Sequence, residues 1–388
     1  IDSGYHYALG LINAQSAWDF TTGSPDITIV ISDQSADDGH SELQNELIYS
    51  APGNTASSTH GTAVSIIAAG GTNNDILQSH IGYNSTLAVY NMNYNSVLEA
   101  SYEGYKVINM SWASGCQFNS YVQDVINTVY ENGSFLVAAA GNGSTCGGAE
   151  NLVYPASYDH VFSVTSIGPS DNHEKIIGNS ASTHQHNVAV DISAPGYDVY
   201  VSPAPGWNII SSGTSYATPL VSGTVALMLA VNPCLSNADI EYILKTSAVF
   251  IDDLNPDYAG LLGDGRLDAG AAVEMAANFN ALAVNADIID ACDNFYGGQI
   301  DLEIMGGNAP YQAIWSNGAE GLHLILPAGQ FSVSISDALG CNLDTTFVIE
   351  ESTPILIEET IQHVYCHGQN TGAIDITILQ GTPSFSYE

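Results

Sequence analysis

Two stretches of this chain, Ile27-Thr-Ile-Val-Ile-Ser-Asp33 and Phe135-Leu-Val-Ala-Ala-Ala-Gly-Asn142-Gly, are nearly unbroken apolar runs that end in a polar side chain. A strand without polar alternation suits burial on both faces, as in a sheet covered by helices on each side. Two further stretches supply helices. Ser58-Thr-His60-Gly-Thr-Ala-Val-Ser-Ile-Ile-Ala-Ala-Gly70 puts a histidine at the mouth of an apolar helix, and Gly213-Thr-Ser-Tyr-Ala-Thr-Pro219 puts Ser215 at the start of another. All four polar groups fall at the end of a strand or the start of a helix, where functional groups gather in α/β folds.

Alone, Ser215 would read as a helix cap, since Ser and Thr are common there. With the other three it reads as chemistry. A serine at a helix N-terminus sits at the positive end of the helix dipole, where negative charge on an attacked carbonyl oxygen is stabilised. Acyl transfer needs a nucleophile, a base for its proton, a carboxylate to orient that base and a donor for the oxyanion. Ser215, His60, Asp33 and Asn142 are those residue types. The Gly-x-Ser-x-Gly elbow of esterases is absent.

These segments resemble the subtilisin-like serine proteases, the subtilases, in that family's chain order of Asp, His and Ser. Further stretches carry the resemblance: Ile12-Asn-Ala14 with Ala17-Trp18 and Thr22-Gly-Ser24, Val107-Ile-Asn-Met-Ser111, Tyr154-Pro-Ala-Ser157, Val190-Asp-Ile-Ser-Ala-Pro-Gly196 and Gly265-Arg-Leu-Asp-Ala269. It implies a peptidase domain over residues 1–280, an α/β fold with a doubly wound, mostly parallel sheet. By the same resemblance Ser215 is the nucleophile, His60 the general base and then acid, and Asp33 the orienting carboxylate. The Asn142 side chain and the Ser215 N–H form the oxyanion hole. The primary pocket is walled by Ser111, Trp112 and Ala113 on one side and Ala138, Ala139 and Ala140 on the other. Small, apolar walls without an acid favour apolar over basic substrate residues. No cofactor is required for the chemistry. The partners implied are peptide and protein substrates, and a propeptide that precedes the mature form.

The chain also departs from the family pattern. Gln34 and Ser35 follow Asp33 where Ser or Thr and then Gly are usual, so about 1 kcal/mol of backbone strain is expected at Ser35. Ala63 replaces a second histidine. The connection from Asn91 to Val107 is about a dozen residues shorter than usual, which removes the edge strand that normally pairs with the non-primed side of substrate. A more open cleft follows. Glu42 and Asn74 fall where the family has calcium ligands, so a structural Ca²⁺ is allowed there. The acidic run from Asp252 to Asp268 reads as solvated loop, and His184 with His186 as an exposed pair on one face of a strand.

Composition describes the setting. Four Lys+Arg against 41 Asp+Glu give a formal charge of -37. So few cations exclude electrostatic nucleic-acid binding, and the surface suits a marine, saline or calcium-containing medium. No run of 18 apolar residues occurs, so no membrane span is expected. Six cysteines fit an oxidising compartment, and with the family this implies a secreted or cell-surface bacterial protein. The family's fold brings Cys116, after the cleft strand, near Cys146, after the oxyanion loop, and a disulfide between them is expected. Cys234 stands at the opening of a helix, with its partner open.

After about residue 281 short alternating strands and Asn/Gly turns read as a β-sandwich-like module. Gly298-Gln-Ile-Asp-Leu-Glu-Ile-Met recurs as Gly372-Ala-Ile-Asp-Ile-Thr-Ile-Leu, and Cys292 to Cys366 repeats the same 74-residue spacing. With Trp315-Ser-Asn-Gly318 and Ser336-Asp-Ala-Leu-Gly-Cys341, this resembles repeats of cell-surface adhesins in gliding bacteria. A first copy spans residues 281–356, with Cys292 and Cys341 expected to pair, and a second, partial copy spans 357–388. The repeats are expected to attach the enzyme to a surface or matrix. The rival function is an inactive subtilase-like scaffold that only binds.

Overall fold

β1 (Thr28–Asp33) is buried at every position after Thr28. Ile29 and Ile31 enter one apolar core and Val30 another, so the strand is covered on both faces. The computed structural model describes residues 7–52, 59–76, 78–279, 281–291, 297–381 and 385–386. These fall into two units, Ile1–Phe279 and Asn280–Glu388.

Two helices, α1 (Tyr7–Leu11) and α2 (Ala14–Phe20), precede β1. After it come β2 (Leu47–Ser50), α3 (Thr59–Ala69), β3 (Thr86–Asn91), α4 (Tyr94–Tyr102), β4 (Val107–Met110), α5 (Ser120–Glu131), β5 (Phe135–Ala139), β6 (Val161–Ile167) and β7 (Ile192–Pro195). A hairpin of β8 (Val199–Ala204) and β9 (Trp207–Ser211) leads to α6 (Thr214–Val231), α7 (Asn237–Thr246) and α8 (Ala269–Asn278). Seven strands form a parallel sheet in the order β2-β3-β1-β4-β5-β6-β7. One face packs Val64 and Ile67 of α3, Val221 and Val225 of α6 and Val273 of α8. The other packs Val97 of α4 and Ile126 and Val129 of α5. β1 lies between β3 and β4, so the strand order reverses there and leaves a crevice beyond the strands' C-terminal ends.

α6 is long and apolar enough to cross a bilayer, although its sequence has no uninterrupted apolar run, yet 78% of it is buried inside the unit. It is a core helix. Pro219 lies within it and has no N–H to give the carbonyl four residues earlier, that of Ser215. The Ser111 hydroxyl donates to that carbonyl instead, at 3.0 Å.

The second unit contains β10 (Ala283–Ile289), β11 (Gly298–Met305), β12 (Gln312–Trp315), β13 (His323–Leu326), β14 (Gly329–Ser336), β15 (Asn342–Ile349), β16 (Leu356–Gln362) and β17 (Ala373–Gln380). Two antiparallel three-stranded sheets, β10-β11-β13 and β12-β14-β15, share a core that includes Ile300, Trp315 and Ile335. β16 and β17 form a separate antiparallel pair. Cys341 and Cys234 are each disulfide-bonded; Cys292, expected to pair with Cys341, lies outside the described residues. Cys366 is a free, exposed thiol.

Candidate active site

Asp33 ends β1 with 1% of its surface exposed. Its Oδ1 accepts the Gln34 N–H at 2.7 Å and lies 2.8 Å from His60 Nδ1. His60 stands in the first turn of α3, and Gly61 lets that turn come close. A Cβ there would collide with the Gln34 carbonyl and lie 2.6 Å from that of Ser35. Burial pulls the His60 pKa down, but the bond to Asp33 and its charge outweigh this and hold the pKa above the usual histidine value. A carboxylate on Nδ1 fixes the tautomer, with Nδ1 carrying hydrogen and Nε2 free to take a proton. The strain expected at Ser35 is absent: Ser35 is not among the residues with positive φ. The turn after Asp33 closes without left-handed backbone at that position, so it needs no glycine.

Ser215 is the second residue of α6, where the first N–H groups of a helix have no internal acceptor. The preceding Thr214 N–H and hydroxyl both reach Asn142 Oδ1, at 2.9 and 3.1 Å. Because an N–H can only donate, this fixes the carboxamide orientation and leaves the Asn142 NH₂ as its other end. Neither Asn142 Nδ2 nor the Ser215 N–H makes an intramolecular hydrogen bond among the described residues, and Asn142 Oδ1 is held by Thr214, the residue before Ser215. The Ser215 hydroxyl donates to the Ser111 carbonyl at 3.2 Å. Tyr216, next in the chain, has its ring centroid 6.1 Å from that of His60. The structure therefore gathers Asp33, His60, Ser215, Asn142 and Ser111 about the C-terminal ends of β1, β4 and β5, with Ser215 bonded to Ser111 and not to His60.

Ser111 follows β4 and is itself fixed from below. Asn109 Nδ2 donates to its hydroxyl at 2.9 Å, and the Ser222 hydroxyl of α6 donates to Asn109 Oδ1 at 3.0 Å. Trp112 donates its indole N–H to Ser32, beside Asp33, at 3.2 Å and packs edge-on against Tyr94. Ala113 is exposed, and Ala138, Ala139 and Ala140 are buried, Ala138 within the core under α4 and α5. Cys116 and Cys146 form a disulfide across a separation of 30 residues, joining the segment after Ser111 to the loop after Asn142.

Glu42 and Asn74 meet: Asn74 Nδ2 is 3.5 Å from Glu42 Oε1. The Glu42 carboxylate is fully buried, its Oε2 accepts no hydrogen bond, and His80 Nε2 lies 3.4 Å from it. A buried carboxylate and a neighbouring carboxamide are hard oxygen donors of the kind Ca²⁺ takes. Glu42 suits such a site, but Asn74 turns its NH₂ toward Glu42 while its Oδ1 accepts the Ile76 N–H at 3.1 Å, so its oxygen faces away. No group of three acidic, histidine or cysteine residues placed to hold a metal ion occurs among the described residues.

His184 and His186 are not an exposed pair on a strand. His186 is 5% exposed, and its Nδ1 lies 3.0 Å from Nε2 of the buried His173. The run is irregular backbone bonded to the oxyanion loop, with the His186 N–H donating to the Ala149 carbonyl at 2.8 Å. Burial holds His173 down at about 4 and His184 at about 3. Sequence reasoning missed His173, and it also missed Gln185, whose amide bonds this loop at several points. Nothing in either local sequence marks these roles, which depend on long-range approach.

The profile of the Subtilase family matches residues 19–281. Halolysin of Haloferax mediterranei is 33% identical over 300 residues, covering 70% of this chain and 53% of halolysin. The chain thus spans about half the length of that relative. Thermitase of Thermoactinomyces vulgaris is 30% identical over 291 residues, covering 70% of this chain and 97% of thermitase. Among solved structures, the prenylagaramide maturation protease PagA aligns with a TM-score of 0.59 at 24% identity over 68% of this chain and 98% of that one; that likeness concerns the fold.

Proposed function

This chain belongs to the subtilase family, and on that premise we propose that it is a secreted serine endopeptidase working through Ser215, His60 and Asp33. The observation that carries the reading is the 2.8 Å bond between His60, at the start of α3, and the buried Asp33 at the end of β1. Rotation about the Ser215 side-chain bond exchanges the Ser111 carbonyl for His60 Nε2 as acceptor. His60 then takes the hydroxyl proton as the oxygen attacks a peptide carbonyl, and the imidazolium is stabilised by Asp33. The oxyanion is received by Asn142 Nδ2 and the Ser215 N–H. His60 returns the proton to the leaving amine, which gives an acyl-enzyme, and activates the water that hydrolyses it.

Ser111, Trp112 and Ala113 with Ala139 and Ala140 form the primary pocket in this proposal and favour apolar residues. Ala138, expected in the same wall, is instead taken up by the core under α4 and α5. The short connection before β4 leaves the non-primed side open. Glu42, whose Oε2 accepts no hydrogen bond, would be the acidic ligand of a structural Ca²⁺ that takes no part in the chemistry, and Asn74 would join it only with its carboxamide turned over. Six cysteines and the charge of -37 support an extracellular, salty setting. The module over 281–356 and the partial copy over 357–388 serve attachment. An inactive binding scaffold would follow if the altered Gln34-Ser35 turn displaced the Asp33 carboxylate; the His60–Asp33 bond and the unstrained Ser35 favour the enzyme.

The test is a pair of variants assayed on a peptide substrate. Asn142→Leu should lower kcat about 100- to 1000-fold, and Ser215→Ala about a million-fold. Equal losses would contradict the assigned roles.

A further inference from the structure

Gln185 is fully buried in an irregular segment between β6 and β7, and every polar atom it has is hydrogen-bonded, all but its carbonyl to other backbone. Its Oε1 accepts the Gly143 N–H at 2.7 Å. Its Nε2 donates to the carbonyls of Thr145 at 2.7 Å and Gly148 at 3.0 Å. Its backbone N–H donates to the Gly141 carbonyl at 3.1 Å, and its carbonyl accepts the hydroxyl of Thr165 on β6. One donor-only and two acceptor-only partners fix the amide in a single orientation.

These partners are the residues around Asn142. Gly141 and Gly143 flank it, and the Thr145 hydroxyl accepts the Asn142 N–H at 3.1 Å. Gly143 has φ of +73°, and a Cβ there would collide with the Thr183 carbonyl, so the close approach of the Gln185 segment requires glycine. Thr214 grips the Asn142 side chain from the other direction through Oδ1. The Asn142 carboxamide, itself exposed, is therefore suspended between the start of α6 and a loop that Gln185 ties to the central sheet.

We infer that Gln185 is a positioning residue for the oxyanion donor: through Gly141, Gly143 and Thr145 it sets where Asn142 Nδ2 stands relative to Ser215. This rests on the proposed role of Asn142. An oxyanion donor acts only if it already stands where charge develops, so a loosened loop lowers kcat and leaves ground-state binding nearly unchanged.

The experiment is a double-mutant cycle of Gln185→Ala and Asn142→Ala, with kcat and KM corrected for competent sites by titration with a serine-directed fluorophosphonate. Gln185→Ala alone should lower kcat roughly 10- to 100-fold, as expected when a catalytic group is misplaced by about 1 Å, with KM changed less than about twofold. In the Asn142→Ala background the same substitution should cost less than about twofold, because no carboxamide remains to be placed. Gln185→Glu, nearly equal in volume, keeps the acceptor for Gly143 but sets an oxygen against the Thr145 and Gly148 carbonyls, and should lower kcat at least as far as Gln185→Ala; a wild-type kcat in this variant would count against the inference. Equal losses from Gln185→Ala in both backgrounds would overturn the inference and leave Gln185 a structural residue. So would an unchanged kcat in Gln185→Ala. No loss in Asn142→Ala itself would instead remove the oxyanion assignment, and this inference with it.

Discussion

Removing the Cys116–Cys146 disulfide gives a perturbation whose size follows from chain length. The bond closes a loop over a separation of 30 residues. In the chain-entropy account such a cross-link takes about 12 cal/mol/K from the unfolded ensemble, or about 3.6 kcal/mol at 25 °C. The double variant Cys116→Ala, Cys146→Ala should therefore unfold more readily by up to that amount. The assay is urea unfolding followed by intrinsic fluorescence, on protein phosphonylated at its nucleophile so that self-digestion is suppressed. With a urea slope of about 3 kcal/mol/M for a unit of this size, the midpoint should fall by about 1.2 M. Activity should fall far less than in Asn142→Leu, because Thr214 and Gln185 still hold the oxyanion loop. A midpoint shift below about 0.3 M would refute the reasoning, since the unfolded chain would then gain almost no freedom when the bond is lost.

The acid limb of kcat/KM should lie above the usual histidine value of 6.5, because His60 must be neutral to act and its pKa is raised. Asp33→Asn removes both raising influences and leaves burial, so the limb should move downward while kcat drops about 10⁴-fold; an upward or absent shift in the pH profile would contradict this. As a stability contribution, the protonated pair favours folding fully below 6.5, and that contribution is lost as pH rises through the higher folded value. Chelation should shorten the half-life of the wild type on heating, because calcium at 100 times its dissociation constant adds about 2.7 kcal/mol to the equilibrium stability of the folded state. Glu42→Gln should make the half-life insensitive to chelator, and an identical wild-type half-life with and without chelator would argue against calcium at Glu42.

The parts of the fold readable in the sequence are those encoded locally. The apolar run ending at Asp33 is a strand because the residues facing each way, Ile29 and Ile31 against Val30, are all apolar. The small-residue run after Ser215 forms a helix whose Pro219 frees a single carbonyl, and Ser111 supplies the missing donor. What could not be read depends on approach between distant segments. His184 and His186 alternate as in a strand, yet their surroundings are set by His173 and by the loop at Ala149. Gln185 looks like any polar residue in a polar run, and its role arises only when residues 37 to 44 positions earlier fold back onto it. The strain expected at Ser35 failed for the same reason, since the path of that turn is set by α3 packing over it through Gly61.

The most direct test of the central claim is the rate at which a fluorophosphonate labels the folded protein, with the modified residue found by peptide mapping. Labelling should fall on Ser215 and slow by at least about a thousandfold in His60→Ala, because the hydroxyl is then left without its base. Modification elsewhere in the chain, or an unchanged rate at Ser215 in that variant, would contradict the account.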